Sequence, residues 1–302
     1  MSIGRKRIFV SIVSLFLLLN FAAGCESKPQ NEEIKDVDAE YLELTTGGIN
    51  APFDVRFGKV KEKERKLYKD LNLLVIDTDF GDADDIKALH ENKNKRVLVY
   101  INVGALDTNF VTDGRFDDLK LDKYDGWDGE FWVDIRNRRW KDFIYEQAQE
   151  IVKLGADGFF VDNLDVYGNY SEKDGMFDAA LEILSHLADL KNDIVINGGD
   201  EFVTKAMKDG VLDKTVFSVN QEDVFTDKGA MRADGETFKY YMDYLKKCKK
   251  YGLDVYLIEY GTFGQEELEE ISKKCEENGF TYYVSPSIDL DKKWSLYFNG
   301  KE

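Results

Sequence analysis

The stretch Gly155-Ala156-Asp157-Gly158-Phe159-Phe160-Val161-Asp162-Asn163-Leu164-Asp165 decides the fold. Ahead of it, Arg139–Leu154 places Phe143, Ile144, Ala148, Ile151 and Val152 on one side at helical spacing. Gly155 then stands where a chain leaves a helix through a left-handed residue. Gly158–Asp162 follows as a strand, and polar residues follow the strand. Helix, glycine, strand and polar loop make one turn of an α/β protein in which strands alternate with helices and run parallel.

The pattern repeats in both directions. Strand-like runs occur at Tyr41–Thr46, Leu71–Asp77, Arg96–Val103, Gly158–Asp162, Asp193–Asn197, Val216–Asn220, Asp254–Tyr260 and Phe280–Ser285. A second helical pattern, Thr237–Tyr251, presents Phe238, Tyr241, Leu245 and Cys248 on one side, and Gly252 and Gly279 end helices as Gly155 does. Eight βα units in about 260 residues predict a single (β/α)8 TIM barrel over residues 39–302, with an open doubly wound sheet as the alternative.

The N-terminal residues read differently. Arg5, Lys6 and Arg7 precede an apolar run from Ile8 to Phe21, then Ala22-Ala23-Gly24-Cys25. That run is shorter than the ~20 residues of a membrane-spanning helix. It predicts a lipoprotein signal peptide over 1–24, lipidation of Cys25, and a polar tether over 25–38 that offers nothing to bury. The expected location is the bacterial cell envelope, outside the cytoplasm, anchored to the membrane by lipid.

Without the three basic residues of that signal the chain keeps 38 Lys and Arg against 59 Asp and Glu, a charge near −21. Nucleic acid and anionic lipid are poor partners for such a field, and neutral or cationic ligands are favoured. Only His90 and His186 occur, and beyond Cys25 only Cys248 and Cys275, with no CxxC spacing. A zinc site and a histidine triad lack candidates. Two buried thiols are the expectation for Cys248 and Cys275, with a disulfide as the alternative.

In a barrel, chemistry sits at the carboxyl ends of the strands. There this chain places Asp77 and Asp79, Asp162, Asn163 and Asp165, Asn197, Asn220, Gln221 and Glu222, and Glu259 and Tyr260. Each acid alone also reads as a helix cap. Paired carboxylates without histidine, zinc ligands or a nucleophilic serine suit glycoside hydrolysis, in which one group protonates the leaving oxygen and the other attacks carbon or activates water. Trp127 and Trp132, in the long loop after the third strand, suit stacking on sugar faces or packing onto the barrel.

The block from Gly155 to Asp165 resembles the G-F-D-G-V-x-x-D-x-x-D signature of glycoside hydrolase family 114, the endo-α-1,4-polygalactosaminidase-like barrels. Val75–Asp77, Val97–Gly104 with Tyr100, Trp127–Ile135, Val195–Gly198 and Ser218–Phe225 are similar to that family's successive blocks, so the resemblance covers nearly the whole mature chain. It implies a TIM barrel, a galactosamine-containing exopolysaccharide as substrate, no cofactor, and a catalytic pair at Asp162 and Glu222. Asp77, Tyr100, Trp127, Trp132, Asn163, Asp165, Asn197, Glu259 and Tyr260 are expected on the substrate side, in a monomer. Glu259 also competes for a catalytic role, as the end of strand seven carries the nucleophile in many barrels. After strand three the family continues Gly-Glu and then Arg, whereas this chain has Gly104-Ala105-Leu106-Asp107-Thr108-Asn109.

Two other readings stand beside this one. A barrel with its cleft but without its chemistry is a glycan-binding lipoprotein. Asp77-Thr78-Asp79-Phe80-Gly81-Asp82-Ala83-Asp84-Asp85 also looks like the calcium motif of nucleoside hydrolases, with Phe80 in place of proline and one residue inserted before Asp84-Asp85. The N-terminal expectation has its own test: mass spectrometry of protein from the native membrane should find Cys25 as a lipid-modified first residue, and an unmodified Cys25 or cleavage elsewhere removes the anchor.

Overall fold

A computed structural model describes Thr45 and residues 52–291. The signal, the tether and Cys25 lie outside the described residues. Eight parallel strands form one sheet in chain order: β1 (Phe53–Arg56), β2 (Leu73–Ile76), β3 (Val97–Asn102), β4 (Gly158–Asp162), β5 (Ile194–Asn197), β6 (Phe217–Glu222), β7 (Val255–Tyr260) and β8 (Thr281–Ser285). β8 returns beside β1, and Phe53 meets Tyr283 edge to face across that seam at 6.3 Å. The protein is a nearly closed TIM barrel.

Six longer helices lie outside it: α1 (Ala83–Glu91), α2 (Arg138–Leu154), α3 (Met176–Leu190), α4 (Asp200–Asp209), α5 (Glu236–Tyr251) and α6 (Gln265–Asn278). α2 shows why the sequence places them so. Asn137 caps its first turn by accepting from the Arg139 amide, and Gly155 ends it at φ 96°. Trp140, Ile144, Ala148 and Ile151 are buried against the barrel, each burial being favourable by about 1.5–3 kcal/mol for the larger side chains. The Trp140 indole donates to the Val103 carbonyl at 2.8 Å, which fixes the helix against the end of β3. On α5, Leu245 and Cys248 are buried while Phe238 and Tyr241 pack at the margin. Cys248 and Cys275 are both free and buried.

Because strand side chains alternate in direction, the barrel has two apolar layers. Phe53, Val55, Leu73, Val75, Leu98, Phe160, Val195, Tyr256 and Ile258 fill the interior. Leu74, Ile76, Val97, Val99, Phe159, Val161, Ile194, Ile196 and Leu257 face the helices. At the amino-terminal end, Arg96 donates to both oxygens of Asp193 and to the Tyr256 hydroxyl at 2.9 Å, tying three strands together.

One strand lies elsewhere than the sequence suggests. The first barrel strand is Phe53–Arg56, not Tyr41–Thr46; of the latter only Thr45 is described, and it is helical. Phe53 and Val55 fill the interior while Asp54 and Arg56 are buried on the opposite face, so the charged residues conceal a short buried strand. A second addition is the long excursion after β3, which folds as a three-stranded antiparallel sheet of Ala105–Asp107, Lys120–Lys123 and Glu130–Val133.

The parallel strands approach so closely at the start of β4 that a Cβ built on Gly158 falls 1.8 Å from the Asp193 carbonyl oxygen. Gly158→Ala should therefore destabilise the barrel by about 1–3 kcal/mol or more. Thermal unfolding would show this as a Tm lowered by several degrees or as loss of soluble protein, and an unchanged Tm would contradict it.

Candidate active site

Strand parity determines which rim residues face inward. Tyr100 is in phase with the interior residue Leu98, Asp162 with Phe160, Asn197 with Val195 and Tyr260 with Ile258, while Glu222 is in phase with Asn220 on β6. All but Asn220 line one cleft of about 650 Å3 at the carboxyl ends of the strands, with Asp77, Asn163 and Trp127 also on its wall.

The centre of the cleft is a single amide. Asn197 Nδ2 donates to Asp162 Oδ1 and to Glu222 Oε1, at 2.9 Å each. Those two carboxyl oxygens therefore stand no more than about 5.8 Å apart, and about 5 Å when the two N–H bonds diverge at their usual angle. Behind them, the fully buried Asn220 donates from Nδ2 to Asn197 Oδ1 at 2.7 Å, which turns the Asn197 NH2 toward the acids. Asn197 and Asn220 sit opposite each other in the β5–β6 register.

The two acids differ in their partners. Burial raises Asp162 above the usual carboxylate range, but the Tyr100 hydroxyl, donating to Oδ2 at 3.0 Å, the Asn163 backbone and Asn197 all favour its ionised form. Glu222 is pushed up to about 7 by burial and by the negative charge of Asp162, with Asn197 and the Tyr260 hydroxyl opposing the rise. Of the two, Glu222 is the better holder of a proton, since it has fewer donors and Asp162 as a charged neighbour.

Other expected residues lie around this centre. Asp77 accepts from the Gly58 amide at 2.7 Å and the Asp79 amide at 3.2 Å, joining two rim loops while one side faces the cleft. Asn163 adopts φ 67°, a left-handed conformation that suits asparagine, and lines the wall. Trp127 is 45% exposed there. Three expected residues do not line the cleft. Trp132 packs on Tyr124 with ring centroids 4.4 Å apart. Asp165 accepts from the Gly199 amide at 3.1 Å and holds the loop after β5; burial pushes it up to about 7. Glu259 is fully buried on the opposite parity from Tyr260, its carboxyl group held by Val224, Phe225 and Thr226 away from the cleft wall.

The excursion supplies residues that the rim pattern does not reveal. Its register sets Asp107 opposite Glu130, and both reach the cleft together with Tyr124. Burial, then Asp107 and Asp162, raises Glu130 to about 7. Glu130 stands inside the tryptophan-flanked segment Trp127–Asp134, and Asp107 inside the segment where the family pattern is departed from, so both carried a signal in their neighbours.

The acidic run after β2 is a capping device. Asp82 accepts from the Asp84 and Asp85 amides, Asp85 accepts in return from the Asp82 amide, and Asp85 pairs with Arg65. Among the described residues no cluster of three metal-binding side chains occurs.

The family model described as glycoside-hydrolase family GH114 matches residues 36–302. The chain belongs to that family. This GH114 member is similar to the solved structure of the glycoside hydrolase domain of PelA from Pseudomonas aeruginosa, with 18% identity, 81% of this chain and 97% of that chain covered, and a TM-score of 0.67. It is also similar to Ega3 of Aspergillus fumigatus, solved in complex with galactosamine, with 16% identity, 82% and 94% covered, and a TM-score of 0.61. No curated protein matches the chain. Membership makes it a glycosidase.

Proposed function

We propose that this protein cleaves a galactosamine-containing exopolysaccharide with retention of configuration, using Asp162 as nucleophile and Glu222 as acid and base. The observation that carries the reading is the Asn197 amide donating to both carboxyl groups at 2.9 Å, because a separation near 5–5.5 Å suits a direct nucleophile and about 6.5–9.5 Å leaves room for water. In the first step Asp162 attacks the anomeric carbon as Glu222 gives its proton to the glycosidic oxygen, and the carbon–oxygen bond breaks. In the second, Glu222 takes a proton from water, the water oxygen bonds to the anomeric carbon, and the Asp162 ester is released. The hydrogen bonds from Tyr100 and Asn197 suit a charged nucleophile, and the buried, like-charged setting of Glu222 suits a proton donor.

The cleft wall supports an amino sugar. It carries eight carboxylates, Asp77, Asp107, Asp128, Glu130, Asp162, Glu222, Asp289 and Asp291, and no basic side chain among the described residues. A polymer bearing ammonium groups is attracted by that field, whereas a uronic acid polymer is repelled. Ega3, similar in fold, was solved with galactosamine. The protein acts as a monomer without a cofactor, outside the cytoplasm, held by lipid on Cys25. Among the described residues no helix is long and apolar enough to cross a membrane.

Incubation with an α-1,4-galactosaminan, followed by mass spectrometry and NMR of the new reducing ends, tests this. Wild type should release α-anomers first; Asp162→Asn and Glu222→Gln should each lose at least about a thousandfold in kcat with Tm little changed. Binding without release in wild type would leave a glycan-binding module instead. First-formed β-anomers would replace retention by inversion.

The same pair sets the pH dependence. Rising pH removes the Glu222 proton, so kcat/KM should fall above about pH 7, and acid that protonates Asp162 should close the profile on the other side. Rates from pH 4 to 9 check the shape, and a flat profile through pH 8 would remove Glu222 as the acid.

A further inference from the structure

Glu259 is a fully buried rim acid that does not line the cleft, and its surroundings pose a proton-counting problem. Its Oε1 accepts from the Val224 amide at 3.2 Å and the Phe225 amide at 3.0 Å, and Oε2 from the Phe225 amide at 3.1 Å. Thr226 Oγ1, fully buried, lies 2.6 Å from Glu259 Oε2, 2.8 Å from Asp223 Oδ1 and 3.2 Å from the Tyr260 amide nitrogen. A hydroxyl carries one proton. With both acids ionised, one of the two short oxygen–oxygen contacts has no hydrogen in it. One additional proton completes the set: a carboxylic acid donates to Thr226, Thr226 donates to the other acid, and the Tyr260 amide takes the remaining lone pair.

Glu259 is the better holder of that proton. It is fully buried and has no cation beside it, while Asp223 is partly exposed and feels the Arg232 guanidinium. The titratable groups that face it are Asp223 from the loop after β6 and Cys275 from α6; the cations nearby act on those two, Arg232 on Asp223 and Lys274 on Cys275. Lys274 is engaged with Glu270 at 2.7 Å, and Arg232 donates to the Asp223 and Thr226 carbonyl oxygens at 3.0 Å each.

We infer that Glu259 is a positioning residue for Glu222 and acts as a neutral carboxylic acid, its proton donated to the Thr226 hydroxyl. The inference rests on the role proposed above for Glu222. The loop that leaves Glu222 has its next three amides fixed to β7: Asp223, at φ 52°, donates to the Ile258 carbonyl at 3.0 Å, and Val224 and Phe225 donate to Glu259. Through this clamp β7 sets where Glu222 leaves β6. A neutral clamp does so without a second full negative charge behind the acid. Burial also raises Glu259, to about 7, and Asp223 only to about 6, the same order as the geometry gives.

Glu259→Gln reproduces the neutral acid, its carbonyl accepting the two amides and its NH2 donating to Thr226, whereas Glu259→Leu removes the clamp. On galactosaminan at pH 6 the Gln variant should stay within about threefold of wild-type kcat, and the Leu variant should lose at least about tenfold with KM little changed. Thr226→Val, which removes the shared hydroxyl, serves where the Leu variant does not fold. The second readout is stability. A folded-state acid raised from 4.5 to about 7 contributes stability that is complete below pH 4.5 and is lost as pH rises toward 7. Wild-type Tm should therefore fall over that interval, and Glu259→Gln should lack that share of the fall. An infrared carbonyl band of a protonated carboxylic acid at pH 6 should weaken in the same variant. A Gln variant that fails to fold, that is as slow as the Leu variant, or that follows the wild-type Tm profile would overturn the inference. If wild type itself cleaves no galactosaminan, the proposed function fails, and the Tm and infrared comparisons still decide the state of Glu259.

Discussion

The period of two along a β-strand, in a barrel covered on both faces, is the constraint on which the site depends. In an antiparallel sheet with one wet face a wrong parity exposes apolar residues; here both faces are apolar until the strands reach the rim, and only there does parity decide chemistry. Asp162 and Tyr100 face inward because they are in phase with Phe160 and Leu98, so the packing of the interior and the placement of the acids are one arrangement. Glu259, one residue from Tyr260, lies on the other side of β7 for the same reason.

That constraint separates three carboxyl groups that the rim pattern presents as equals, two half-buried on the cleft and one fully buried. Asp162 has a phenol, an amide side chain and a backbone amide as donors, which favour its charge. Glu222 has fewer donors and a charged neighbour. Glu259 has backbone amides and a hydroxyl that is shared with a second acid. Desolvation acts on all of them in one direction, so the difference in function comes from the donors that the neighbouring strands supply. Asn197 belongs to both parts of this account, since one NH2 group fixes the spacing of the pair and is itself turned by Asn220.

Much of this was legible in the sequence. Seven of the eight strand runs overlap the observed strands, the glycine-ended helices are in place, and the rim positions of Asp162, Asn197 and Glu222 follow from counting residues past each apolar run. Phe53–Arg56 was not legible, since Asp54 and Arg56 interrupt a strand of only four residues. The direction of Glu259 was present in its parity, in phase with Leu257 and out of phase with Ile258, but a list of rim acids discards parity. The contribution of Glu130 and Asp107 depended on the antiparallel register of the excursion, a tertiary fact that the signal in their neighbouring residues marks without placing. Trp132, whose type suited either stacking on sugar or packing onto the barrel, lies tilted against Tyr124 with ring centroids 4.4 Å apart.

The departure after strand three takes on a meaning from this geometry. Gly104 lies where a Cβ would meet the Asn163 carbonyl oxygen at 1.8 Å, so the chain passes against the loop after β4 before Ala105–Asp107 pairs with the strand Glu130–Val133. Like charges directly opposite each other in such a pair oppose its formation. Asp107 and Glu130 are opposed in this way, and burial with that repulsion keeps Glu130 partly protonated near neutrality. An ammonium group beside them reverses the sign of the interaction, favouring the ionised form of Glu130 and the pairing of the two strands. The same ammonium placed beside Glu222 instead would draw off the proton that the reaction needs. On the proposed reading, the amino groups of the polymer are therefore best received at the excursion wall, where cation binding strengthens the sheet, and not at the catalytic pair, where it weakens the acid.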